Sequence, residues 1–60
     1  EGLVGLRGIA MEALTPEGRV RVNGEIWNAT AENGDIALGS RIEVVDVQDF
    51  KLTVKPLSLK

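Results

Sequence analysis

Apolar and polar residues alternate with period two in several short runs of this chain, and each run is broken by a turn signal. "RVRVN" at positions 19–23 is one such run and "EIWNATA" at 25–31 the next, the pattern of strands with one buried face. Between them stands Asn23-Gly24, the favoured pair for a two-residue type I′ hairpin turn. That turn sets a register of Val22 opposite Glu25, Arg21 opposite Ile26 and Val20 opposite Trp27, so Val20 and Trp27 share the core face.

Upstream, "LVGLRGIAMEAL" from Leu3 to Leu14 reads as one long first strand, bent at Gly5 and Gly8. "TPEG" at 15–18 has proline second and glycine fourth, which suits a type I turn with a bulge at Gly18. This turn predicts Leu14 opposite Val20 and Ala13 opposite Arg21, with Leu14, Val20 and Trp27 in one core row. Downstream, "ENGDIALGS" at 32–40 reads as a loop plugging one end of the structure. "RIEVVDVQD" alternates through Ile42 and Val44 and then shifts phase to Val45 and Val47, the mark of a bulge. "FKLTVKPL" turns Leu52 and Val54 inward, and Pro56, which has no N–H to donate, ends that strand.

Five strands with the widest gap after the third predict an all-β domain, a five-stranded antiparallel OB-fold barrel, with an SH3-like barrel as the second choice. Sixty residues allow a single domain, 1–60, that buries about 60% of its unfolded surface. The absence of cysteine and histidine removes thiolate chemistry, the usual proton shuttle and the commonest metal ligands, so no enzyme activity and no cofactor or metal is expected. A net charge of −2 gives the chain as a whole no attraction to phosphate backbones. Apolar stretches fall far short of the ~20 residues of a membrane-spanning helix. The start at Glu1, without methionine or leader, reads as the start of a piece of a longer protein.

Taken in order, Gly5, Gly8, Ala10, Leu14, Pro16, Gly18, Gly24, Trp27, Ala29, Gly39, Ile42, Val44, Leu52 and Val54 resemble the soluble C-terminal domain of the NfeD family over nearly the whole chain. The resemblance implies an OB barrel following membrane-spanning helices in the parent protein, a membrane-associated location for that parent, and an interaction role. It also implies stomatin-like or flotillin-like partners, or self-association, and regulation of membrane proteolysis. Longer members carry a serine protease domain of the ClpP class upstream, none of whose apparatus falls in these sixty residues. Ile26 departs from the polar residue expected at its position, and the 32–40 loop is compact.

Several site readings compete. A nucleic-acid-binding barrel is the alternative function, but it needs a basic groove with stacking aromatics, and this chain offers Arg19 and Arg21 among Glu12, Glu17 and Glu25, with Trp27 expected inside. Glu32, Asp35, Glu43, Asp46 and Asp49 lack the ordered spacing of a calcium loop and read as a solvated surface. Thr15, Ser40 and Ser58 stand in no nucleophile motif. The reading that resists a purely structural account is a protein-binding patch. With Leu14 inward, alternation turns Ile9, Met11 and Ala13 outward, where Arg21 and Ile26 join them. The simpler account is a one-residue slip at Gly18 that returns Met11 and Ala13 to the core, or cover from "PLSLK" at the C-terminus.

Overall fold

The computed structural model describes residues 2–57. Five strands, β1 (Arg7–Ala10), β2 (Glu17–Val22), β3 (Glu25–Ala31), β4 (Arg41–Gln48) and β5 (Lys51–Pro56), form a closed barrel in the order β1-β2-β3-β5-β4. This is the expected OB-type order, with one difference of orientation. All neighbours are antiparallel except β3 and β5, which run parallel. The cause is arithmetic, because strands alternating up and down around a ring must be even in number. Five strands therefore close only with a parallel pair somewhere.

The β2–β3 hairpin follows its turn chemistry. Asn23 and Gly24 both have positive φ, 56° and 79°, and the register is Val20↔Trp27, Arg21↔Ile26 and Val22↔Glu25, as the type I′ turn requires. The β4–β5 hairpin uses the same backbone, with Asp49 (φ 52°) and Phe50 (φ 65°) both left-handed, although a phenylalanine does not advertise it. Phe50 thus belongs to the turn and not to the last strand, and it is 87% exposed. The phase shift expected in β4 is a register irregularity between Val44 and Asp46.

The first strand is shorter than its pattern suggested and pairs differently. Residues 3–5 form a bend and turn, β1 spans only Arg7–Ala10, and Val20 faces Ala10 instead of Leu14. Leu14 instead exchanges backbone hydrogen bonds with Ile36, whose carbonyl accepts from Leu14 N–H at 2.8 Å and whose N–H donates back at 3.0 Å. The "TPEG" turn therefore does not close a tight hairpin, and the segment from Met11 to Pro16 is drawn aside to meet the 32–40 loop. The displacement from Leu14 to Ala10 is four residues, an even number, so every inward and outward assignment survives it.

Buried side chains come from every strand and include Ala10, Val20, Val22, Ala29, Ile42 and Leu52, with Leu14 and Ile36 added by the loops. Alanines at 10, 29 and 31 leave room for the branched residues in so narrow an interior. Trp27 is only half-buried and packs against this core, in contrast to the fully enclosed position expected for it. The reason lies in the register: β3 begins to pair with β5 at Asn28↔Lys51, one residue beyond Trp27, so the indole sits where the barrel opens. Its Nε1 is buried with no hydrogen-bond partner among the described residues.

Candidate protein-docking face

Outward positions on neighbouring strands come into line across the sheet. Ile9 on β1 is opposite Arg21 on β2 and, on its other side, Arg41 on β4; Arg21 is in turn opposite Ile26 on β3. Four adjacent strands thus present one row, Arg41, Ile9, Arg21 and Ile26, whose directly opposed side chains start about 5 Å apart at Cβ. Ile9 is 47% and Ile26 52% exposed, and both arginines are exposed. Met11, two residues beyond Ile9, continues the outer face, is 38% exposed and donates its N–H to Arg19 O at 2.9 Å.

Of the five residues expected to form a patch, Ile9, Arg21 and Ile26 share this row and Met11 flanks it. Ala13 is exposed too, but it lies in the connection between β1 and β2 and not on the sheet. The one-residue slip that would have returned Met11 and Ala13 to the core does not occur, because Leu14 takes the buried place. Cover by the tail concerns Leu57, which is half-buried, and positions 58–60, which lie outside the described residues, as does Ser58 of the nucleophile reading.

Arg41 and Arg7 were not anticipated. With Gly8, Ile9 and Leu57 of the tail they line a shallow trough of about 340 Å³ on the β1–β4 side of the row. Alternation along β4 turns Arg41 outward, but no local pattern says that β4 lies beside β1. A second outer groove, of about 390 Å³, is bordered by Glu12, Glu17, Arg19, Asn28 and Lys51. Its charges are already matched: Arg19 Nε lies 3.7 Å from Glu12 and Lys51 Nζ 3.1 Å from Glu17. No group of three or more metal-ligating side chains exists among the described residues. No helix there is long and apolar enough to cross a membrane.

Comparison with known proteins agrees with this fold. Residues 1–56 match the family model described as the NfeD-like C-terminal, partner-binding domain. The chain is 42% identical over 55 residues to a membrane-bound protease of Pyrococcus horikoshii, an alignment that takes in 90% of this chain and 12% of that protein's length. Among solved structures, the C-terminal domain of a stomatin operon partner protein from the same organism superposes with a TM-score of 0.89 at 38% identity, covering 93% of this chain and 89% of the other. The soluble domain of a Corynebacterium glutamicum membrane protein implicated in regulation of membrane protease activity gives 0.82 at 32% identity, covering 92% and 94%.

Proposed function

The chain belongs to the NfeD family as a C-terminal, partner-binding domain, and from that premise we propose that it is a non-enzymatic docking module of a longer membrane protein. Its partner is a stomatin-like or flotillin-like protein, and its docking serves the regulation of a membrane protease. The observation that carries this reading is the exposed row of Ile9, Arg21 and Ile26 with Met11 beside it, apolar surface that a closed barrel has no internal use for. The names of the similar proteins from Pyrococcus horikoshii and Corynebacterium glutamicum support the membrane and protease setting. Mechanism here means surface complementarity: apolar side chains leave water against the partner while the flanking guanidiniums orient it.

The test is a calorimetric titration of the chain against a stomatin-family protein of the same organism. The double variant Met11→Ser, Ile26→Ser should lose at least about tenfold in affinity, since these side chains would lie in the contact. Its unfolding midpoint should stay in place, because exposed substitutions of this kind change stability by about 0.5 kcal/mol or less. Undiminished affinity in that variant would remove the row from the interface. Concentration-dependent dimerisation abolished by the same changes would assign the row to self-association. A parallel titration with single-stranded DNA separates the alternative function, whose binding must weaken steeply as salt rises.

A further inference from the structure

All four arginines of the chain, Arg7, Arg19, Arg21 and Arg41, lie on three consecutive strands of the barrel wall, β4, β1 and β2, and all four are exposed. The lysines in the described residues, Lys51 and Lys55, are on β5. Arg19 is matched by Glu12. Among the described residues Arg7, Arg21 and Arg41 make no ion pair, even though Glu43 is the register partner of Arg7. The arginines without a carboxylate partner among the described residues therefore gather around Ile9, and Lys55, equally unpaired there, stands across Glu43 from Arg7.

The chemistry of these groups is specific. Guanidinium is a planar fork that binds carboxylates through two parallel hydrogen bonds and lies comfortably against apolar surface, where a lysine offers only a point charge. Arg7 and Arg41 border the trough whose remaining lining is Gly8, Ile9 and Leu57, so a cationic rim surrounds an apolar floor. Arg21 repeats the arrangement one strand over, between Ile9 and Ile26.

We propose that this face receives an acidic amphipathic segment of the partner protein, with an apolar side chain seated over Ile9 in the trough and carboxylates engaged by Arg7, Arg41 and Arg21. The proposal rests on the docking role of the outer row given above and names the chemistry of what docks. A bilayer fits less well, because the positive strip is narrow, is bordered by Glu12 and Glu43 and belongs to an acidic chain. A polynucleotide fits less well again, since neither Trp27 nor Phe50, the chain's two aromatics, lies in the row.

Two short labelled peptides test this by fluorescence anisotropy with the full chain. Both place leucine at the same amphipathic spacing, one with glutamate and the other with lysine at the polar positions. The glutamate peptide should bind at low salt and the lysine peptide should not. Arg21→Glu with Arg41→Glu should weaken the glutamate peptide by at least about tenfold, while Lys51→Gln, in the paired groove, leaves most of the affinity. Ile9→Ser should weaken it as well, which a purely ionic attraction would not show. Equal binding of the two peptides, or full binding by the double arginine variant, overturns the proposal. Tighter binding to phosphatidylserine vesicles than to the glutamate peptide gives the face to a membrane instead. A chain shortened to residue 57 that binds where the full chain does not would show the trough to be the seat of its own tail, and also overturns it. If Met11→Ser with Ile26→Ser abolishes stomatin-family binding while the arginine variant keeps it, docking stands and the acidic-segment inference falls. If only the stomatin-family protein fails to bind, the named partner falls and the peptide result stands.

Discussion

Two strips on the outside of one barrel handle charge in opposite ways. Around the groove bordered by β2, β3 and β5, Arg19 faces Glu12 and Lys51 faces Glu17, so each cation has a carboxylate within 4 Å. Across β4 and β1 to β2, Arg7, Arg21 and Arg41 stand without such partners among the described residues, and Ile9 lies among them. The first strip is electrostatically complete and gains little from a ligand, because an incoming anion must displace a carboxylate already present. The second leaves both guanidinium and aliphatic surface in water. A fold better known for binding polynucleotides thus carries in this chain one strip of matched charge and one of arginine and aliphatic surface.

The largest way to break this contrast is to push β1 off β2. A Cβ at Gly8 would run into the backbone carbonyl oxygen of Arg21 and come within 2.8 Å of Val22 Cγ2, and backbone cannot move aside cheaply. Gly8→Ala should therefore destabilise the barrel by about 3 kcal/mol, the upper part of the range for overpacking. Urea unfolding reads this directly, and a loss under ~0.5 kcal/mol would show that the strands can separate without penalty. Partner binding should fall in parallel, since Ile9 and Arg21 are neighbours only because β1 approaches so closely.

A smaller effect sharpens the contrast without touching the fold. Raising the salt to ~1 M shrinks the screening length to about 3 Å, which should weaken the arginine-bearing strip for its partner by about tenfold. The thermal midpoint should barely move, because the paired strip contributes little to begin with. Affinity that is indifferent to salt would make the contact wholly apolar.

The smallest effect comes from the paired strip itself. Glu17→Gln removes the charge from the 3.1 Å contact with Lys51, yet both side chains are about half exposed or more, 64% and 46%, so the change should cost no more than about 0.5 kcal/mol. Thermal unfolding checks it, and affinity for the protein partner should be unaltered. A marked loss of binding would mean that the two strips act together.

Much of this was legible in the residues. Asn23-Gly24 announced its hairpin and its register, and alternation placed Ile9, Arg21 and Ile26 outward and Val20, Val22, Ile42, Val44, Leu52 and Val54 inward. "TPEG" misled because a turn motif says nothing about what else competes for its flanks. Leu14 bonds to Ile36, and the connection widened by four residues. Asp49-Phe50 was hard to read for the opposite reason: its backbone is that of a type I′ turn and Asp49 suits the first position, but Phe50 stands where the turn selects glycine. Arg41 could not be assigned to the candidate face while the neighbour of β1 was unknown, whereas Arg7, two residues from Ile9 on the same strand, was within reach of the alternation.

Which side chains look inward, and the reversal at Asn23-Gly24, were decided along the sequence, because pleat and turn geometry act over two to four residues. Which strands touch was decided only by closing the barrel, since five strands cannot alternate all the way round and the pairs β3 with β5 and β1 with β4 join segments far apart in the chain. The candidate docking face is a product of that second decision: Arg41 comes beside Ile9 because the ring closes there and nowhere else.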